Sequence, residues 1–421
     1  MRAVSARRRR PPSEAKPGVS HSWRKSRGGS RRSSRLSPCE SSVVTTVVVA
    51  AYSVATKPQI GGHFWVYLQY AHGLQQLGCD VFWLERLPAE RDTAALPLFF
   101  RRMERYGLGG KAILYRARQD GQGGDVEFVG ATATQAEAVF RRADVLLNFH
   151  YAIDAEMLSR FRRSALIDID PGLLQYWISR GQIAVLPHDA YVTIGENVGT
   201  NGAIPDCGIR WLHTRPIVCL DLWPYTYDRD CRRFTTVSTW LGGEYVTEGK
   251  RVIFQNDKRD SFLQFAELPT RTACELELAL HLKGEVDADD RTLLEQNGWH
   301  IRHSLDVAAT PESYRSYIQT SRGEFSCAKP SYVRFQSAWV SDRTLCYLAS
   351  GKPAVVQHTG PSSFLPSGEG MFRFSTVEEA AEALTAVNAD YERHCRAARE
   401  IAETFFDAPG VLSELLNTVV R

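Results

Sequence analysis

From Val43 onward, short runs of β-branched and apolar residues alternate with stretches whose apolar side chains recur at helical spacing. That alternation restricts the chain to parallel sheets covered on both faces by helices. Residues 46–52 read as a buried strand. After a loop holding Gly61 and Gly62, the side chains of Phe64, Tyr67, Leu68, Ala71 and Leu74 mark a helix that stops at Gly78, and 79–84 is the next strand. Further strands are expected at 112–115, 145–149 and 166–169, with helices near 92–106, 133–142 and 154–162. A proline- and aromatic-rich stretch from Leu173 to about Phe234 follows. The pattern then restarts with a strand at 235–240. Helices are expected at 272–281, 289–297 and 311–320, and strands near 299–302 and 323–326. A length of 421 residues at about 150 per domain allows two or three domains. The reading is two tandem Rossmann-like α/β domains, 43–222 and 236–400, joined by 223–235, with 401–421 as a terminal helical segment.

Charge separates the first 42 residues from the rest. They hold ten Arg, two Lys and two Glu, a net +10, whereas residues 43–421 carry 39 basic and 46 acidic side chains, a net −7. Rich in Arg, Ser, Pro and Gly, residues 1–42 are expected to be a disordered basic tail or the product of a start placed too far upstream. A basic arm for anionic partners, a transit peptide and a membrane-surface anchor are the functional alternatives. The acidic body argues against nucleic acid as the main ligand. Nine cysteines without a CxxC, and no Cys/His cluster at zinc spacing, indicate neither a disulfide framework nor a structural metal and fit a reducing, cytoplasmic setting. The longest apolar run, 43–51, is about half of the ~20 residues needed to span a bilayer, so no transmembrane helix is expected and membrane contact would be peripheral.

The second domain ends most legibly. Ser341 is placed to cap a helix over 342–350, Gly351 to terminate it and Pro353 to prevent its continuation into the strand 354–357. Ser375 and Glu378 form a possible capping box for the next helix, and helical regions at 390–406 and 411–420 complete the chain.

The segment from Ser341 through Ala349-Ser-Gly-Lys-Pro353 to Thr359-Gly360 resembles the donor half of GT-B glycosyltransferases of the group 1, family 4-like type, in which a helix ending in Ala-x-Gly-x-Pro leads to an apolar strand and a small-residue loop. The run Gly61-Gly-His-Phe-Trp-Val-Tyr-Leu-Gln-Tyr-Ala-His-Gly is similar to the start of that family's acceptor domain. The resemblance covers residues 43 to about 406 and is most specific at 341–360. It implies a nucleotide-sugar co-substrate rather than a cofactor, bound by the second domain, an unidentified acceptor bound by the first, a cleft between them, and a last helix returning to the first domain. Members of the family that retain anomeric configuration carry Glu where this chain has Cys346, and a second Glu where it has Ala338.

Elementary chemistry names candidates for each role. The N-terminus of the Ser341 helix offers unpaired N–H groups and partial positive charge to a diphosphate, Arg343 could add a guanidinium fork, and Lys329 and Arg334 could complete a clamp, which matters because the leaving diphosphate gains charge and no metal motif is visible. Asp342 could hold a ribose or sugar. The resemblance brings Gly242 and Gly243 toward the phosphates, with Thr239 as a hydrogen-bond donor and Thr359 and Gly360 on the donor side. His63 could take the proton of an acceptor hydroxyl, or merely pack at a helix start. Asp168 and Asp170 share a strand face, and Asp170 could be the base, orient His150, or cap the following helix. Gly61 and Gly62 permit close approach of backbone to a ligand or a tight turn. Glu196 and Asn197, in a polar loop reaching Asn201 and Gly202, could line the acceptor side or form a surface turn. Trp339 and Tyr332 could stack on a ligand or belong to the core. The reading is therefore metal-independent glycosyl transfer. A sugar-nucleotide epimerase and a non-catalytic carbohydrate- or nucleotide-binding pseudoenzyme are the alternatives, and the missing GxGxxG disfavours a dinucleotide oxidoreductase.

Overall fold

Val47 and Val49 pack on one side of the first strand and Val48 and Ala50 on the other, and all four are buried. A strand with two buried faces must lie inside a sheet covered on both sides. The computed structural model describes residues 44–89, 93–117, 126–200, 204–248 and 251–420; residues 1–42, Asn201 and Gly202 lie outside them. In the first half, β1 (Thr46–Ala51), β2 (Asp80–Arg86), β3 (Ala112–Ala117), β4 (Val126–Val129), β5 (Val145–Asn148), β6 (Ser164–Asp168), β7 (Ala190–Thr193) and β8 (Trp211–His213) form one sheet. Its order is β4-β3-β2-β1-β5-β6-β7-β8, parallel except for the β3–β4 pair. The helix Gly61–Gln76 covers one face, and Phe140 and Met157 from the helices Ala133–Arg142 and Ala155–Leu158 cover the other.

The second half adds β9 (Arg233–Thr239), the antiparallel hairpin β10 (Tyr245–Glu248) and β11 (Arg251–Gln255), β12 (Glu275–His281), β13 (His300–His303), β14 (Gly323–Ser326), β15 (Ala354–Gln357) and β16 (Met371–Phe374). Apart from the hairpin these make a parallel sheet in the order β13-β12-β9-β14-β15-β16. Chain order reverses between β1 and β5 in the first sheet and between β9 and β14 in the second. Each reversal opens a crevice at the carboxyl ends of the strands, where open α/β sheets bind ligands.

Two expectations are corrected. Residues 275–281 are β12 rather than part of a helix: Glu, Leu and Ala each favour helix, but in Glu-Leu-Glu-Leu-Ala-Leu-His the three leucines fall at every second position, and Leu276, Leu278 and Leu280 enter one core together while Ala279 enters the core on the other face. The capping box lies one residue later than Ser375 and Glu378, with the Thr376 hydroxyl accepting from the Glu379 N–H and the Glu379 carboxylate accepting from the Thr376 N–H. The β10–β11 hairpin and the short strands β4, β7, β8 and β16 add to the elements expected.

The halves share one core. Trp65 of the first helix meets Trp223 at 4.9 Å between ring centroids, Trp223 meets Tyr314, and Trp65 donates its indole N–H to the Pro311 carbonyl at 2.8 Å. The last helices, Tyr391–Phe405 and Ala408–Val419, bring the chain back: Val218 donates its N–H to the Phe406 carbonyl and accepts from the Ala408 N–H, and Leu412 and Ala408 press on Gly73.

Candidate functional site

The two crevices face each other across a cavity of about 570 Å³. That volume lies inside the range of small-molecule sites. From the first half it is lined by Gly62, His63 and Lys57 of the loop and helix after β1 and by Asp170 after β6. From the second it is lined by Thr239 at the end of β9, Lys258, Lys329 and Tyr332 after β14, and Ser341, Asp342 and Arg343 at the start of the helix Asp342–Ala349. His281, Ser304 and Leu305 close the end beside β12 and β13.

His63 is held in one tautomer. Its Nε2 lies 2.6 Å from the Tyr52 carbonyl oxygen, which can only accept, so Nε2 carries the hydrogen and Nδ1 keeps the lone pair. Burial lowers its pKa below the ordinary 6.5, against the raising effect of that hydrogen bond. A neutral imidazole with an accepting Nδ1 follows. Asp168, fully buried, is scaffold: it accepts from Gln175, Thr193 and the Asp170 backbone N–H, and burial pushes its pKa up to about 6. Asp170 instead turns to the cavity, accepting from the Tyr332 hydroxyl and, at 3.5 Å, from that of Tyr151.

The cations divide into committed and uncommitted. Arg343 is buried, its Nε donating to Glu324 at 2.7 Å, one Nη to the Val237 carbonyl at 2.8 Å and the other to the Ser326 hydroxyl. The expected phosphate fork is thus spent on joining β9, β14 and the Ser341 helix. Lys329 reaches Glu244 at 2.8 and 3.0 Å; burial alone lowers an ammonium's pKa, but Asp170 and Glu244 outweigh it and raise this one. Arg334 lies outside the cavity lining, its guanidinium 4.4 Å from the centre of the Phe254 ring. Lys258, which sequence reasoning missed, is buried at the start of the helix Lys258–Leu263, and among the described residues none hydrogen-bonds its ammonium. Burial, reinforced by Arg343 and Lys329, pulls its pKa down to about 7. The available signal was Phe262 four residues on, an apolar anchor that turns the Lys258 face of this polar stretch inward. Asp342 also lines the cavity, and burial raises its pKa.

The other candidates do structural work. A Cβ on Gly61 would lie 2.1 Å from the Thr310 carbonyl oxygen and one on Gly62 would lie 2.7 Å from the Tyr314 ring, so the pair permits the halves to pack closely. The N–H groups of Gly242 and Gly243 both donate to Asp257 Oδ1 and are not directed at a phosphate. Ser341 caps its helix by accepting from the Arg343 N–H at 3.2 Å. Thr359 donates to the Trp339 carbonyl, and Gly360, with φ +129°, lets the chain pass the Gln336 backbone; both support the turn from which Trp339 stacks on Tyr332 at 3.9 Å. Glu196 sits in a separate crevice, accepting from the Ser362 hydroxyl and the Ser363 N–H. His150 stacks on Tyr52 outside the cavity lining. Among the described residues no group of three His, Cys, Asp or Glu is placed to hold a metal, and no helix is long and apolar enough to cross a membrane.

No family model and no curated protein matches the sequence. Solved structures do match, over nearly the whole chain. An alpha-glucosyltransferase in complex with UDP is 10% identical with a TM-score of 0.58, the match covering 90% of this chain and 100% of that one. Anabaena Alr3699/HepE in complex with UDP-glucose is 12% identical with a TM-score of 0.55, over 89% and 98%. A glycosyltransferase from Rickettsia africae ESF-5 is 9% identical with a TM-score of 0.53, over 89% and 98%. The chain has a GT-B fold. In GT-B terms the Gly61 helix and Asp170 belong to the first half, Lys258 and the Ser341 helix to the second, and the cavity lies between them.

Proposed function

We propose that this GT-B chain is a glycosyltransferase that binds a nucleoside diphosphate sugar and passes the sugar to a hydroxyl acceptor. The observation that carries the reading is Lys258, whose ammonium none of the described residues hydrogen-bonds and which lines the wall of a cavity of about 570 Å³. An unpaired buried charge is unfavourable unless a ligand completes it. A diphosphate between Lys258 and the N-terminus of the Ser341 helix does so, and the same groups stabilise the departing diphosphate. Its nucleoside then extends toward His281, Ser304 and Leu305, and its sugar toward His63 and Asp170. His63 Nδ1 accepts the acceptor's proton as the acceptor oxygen bonds to the anomeric carbon and the bond to phosphate breaks. Asp170, anchored by Tyr332, faces the positive charge that develops on the sugar ring.

Uridine diphosphate is the first nucleotide to test, because two of the solved structures hold UDP or UDP-glucose. The alpha-glucosyltransferase has also been solved with DNA, whereas the net −7 of residues 43–421 disfavours a nucleic-acid acceptor here. The test is calorimetry and thermal unfolding of the full chain with UDP, GDP, ADP, CMP and dTDP, and with their glucose conjugates where these exist. Saturating ligand at 100 times Kd adds about 2.7 kcal/mol of stability. Binding of one nucleotide, followed by slow hydrolysis of its sugar conjugate, supports transfer. Binding without hydrolysis favours a non-catalytic nucleotide binder, and no binding removes the reading. EDTA is expected to leave turnover unchanged.

A further inference from the structure

β1 and β5 are neighbours at the reversal of the first sheet, and each ends in an aromatic ring: Tyr52 beyond β1 and His150 beyond β5. The rings stack with centroids 4.8 Å apart and planes 29° apart, and Tyr52 remains 50% exposed. The ring lies outside the lining of the cavity, and the exposure of half of it is unexplained by the core. The backbone beneath it is fixed at some expense: Ser53, which is not glycine, adopts φ +58°. Ala55 donates its N–H to the buried Glu85 carboxylate at 2.7 Å, which holds the turn in that shape. On the other side Asn148 clamps His150 twice, accepting from its N–H at 3.0 Å and donating to its carbonyl at 3.1 Å. The Tyr52 carbonyl is the group that fixes the His63 tautomer. One residue therefore positions the proposed base and presents a rigid aromatic face beside it. Its neighbour His150 feels the charges of Arg86 and Asp154, which pair with each other at 3.3 Å on the surface.

We infer that the Tyr52 ring is the platform for a pyranose ring of the acceptor, which makes the acceptor a carbohydrate or glycoside. A pyranose offers an apolar C–H face that packs on an aromatic ring and a rim of hydroxyls that exchange hydrogen bonds with a guanidinium–carboxylate pair. The link to the chemistry is the Tyr52 carbonyl, which holds His63 and so makes the base a neighbour of a ring seated there. The inference rests on the glycosyltransferase reading, and its test separates the two. Saturation-transfer NMR is run on the full chain with the methyl glycosides of glucose, galactose and mannose, with adenosine and thymidine, and with UDP, for the natural protein, Tyr52→Ala and Tyr52→Phe. The expected result is saturation of the ring C–H protons of at least one glycoside, retained in Tyr52→Phe and weakened about fivefold or more in Tyr52→Ala, with UDP binding equal in all three. Glycoside contact that is absent, or that survives Tyr52→Ala, overturns the platform, as does a Tyr52-dependent signal from the nucleosides alone. Loss of UDP binding in the natural protein overturns the donor reading and leaves the glycoside result to stand on its own. Circular dichroism of Tyr52→Ala, matched to the natural protein, keeps an unfolded variant from being counted as support.

Discussion

Tyr332, in the second half, donates its hydroxyl hydrogen to the Asp170 carboxylate of the first. The contact bridges the cleft and fixes Asp170, among the described residues of the first half the one carboxylate lining the cavity. Removing the hydroxyl while keeping the ring stacked on Trp339, as in Tyr332→Phe, should lower stability by about 1.5–3 kcal/mol, the worth of a hydrogen bond to a charged group. Asp170→Asn still accepts from Tyr332, so it should melt within a few degrees of the natural protein and lose turnover. Thermal melts and donor-consumption assays on both variants check the pair, and an active Asp170→Asn would remove this residue from the chemistry.

Lys258 should separate stability from binding. Lys258→Met replaces a desolvated ammonium by an apolar chain of similar length, so the variant should be more stable than the natural protein and bind UDP about 10- to 100-fold more weakly. The sign of the pH dependence follows from a pKa of about 7 in the folded protein against an ordinary 10.5. Between those values the unfolded chain binds more protons, so the stability of the natural protein rises with pH across that window. The advantage of Lys258→Met should therefore be greatest below pH 7 and shrink toward pH 10.5. Chemical denaturation at several pH values measures it.

Donor binding should show the same group from the ligand's side. A bound diphosphate favours the ammonium and raises its pKa, so UDP binding is coupled to proton uptake above pH 7 and uncoupled below it. Affinity should be flat on the acid side and fall with rising pH on the alkaline side, by up to about tenfold per unit. Calorimetry at pH 8 in buffers of different ionisation enthalpy reads the uptake directly. Uptake that persists in Lys258→Met would assign the proton elsewhere.

Arg343 is the opposite kind of cation. Arg343→Ala leaves the buried Glu324 carboxylate without its partner, and about 3–5 kcal/mol of stability should be lost. The double variant Arg343→Met, Glu324→Leu should recover much of it, because both desolvated charges leave together. Urea denaturation of the three proteins decides whether the pair is scaffold, as the geometry has it.

These contrasts mark how far the sequence reaches. Strand-and-helix alternation, the Ser341 cap and the Gly351-x-Pro353 stop are local signals, and they placed most strands of the two parallel sheets and the helix that faces the cavity. The alternation in 275–281 was equally local, yet the helix propensity of Glu, Leu and Ala masked it. Side-chain destinations are not local. Nothing in the spacing of Arg343 reveals that Glu324 stands opposite it on β14, or that Gly242 and Gly243 are taken by Asp257. Lys258 is inconspicuous in sequence because its importance is an ammonium that no described residue hydrogen-bonds, which only the folded arrangement can show. Tyr52 was legible as the end of a strand and illegible as an exposed face.

His63 yields the prediction closest to chemistry. Its Nε2–H is fixed on the Tyr52 carbonyl, and burial holds its pKa below 6.5, so the base form prevails at neutral pH. With donor kept saturating at every pH, turnover should stay level from neutral to mildly alkaline pH and fall on an acid limb lying below pH 6.5. His63→Gln should bind UDP normally and lose about 10²- to 10⁴-fold in turnover, with the limb abolished. The surrounding charges give a second, independent reading. Lys57 lowers the imidazole pKa through its charge and Asp170 raises it, so Lys57→Met should move the acid limb toward higher pH. Neutral Asp170→Asn should move the residual limb the other way. A limb that stays in place in Lys57→Met, or that survives His63→Gln, would show that another group carries the proton.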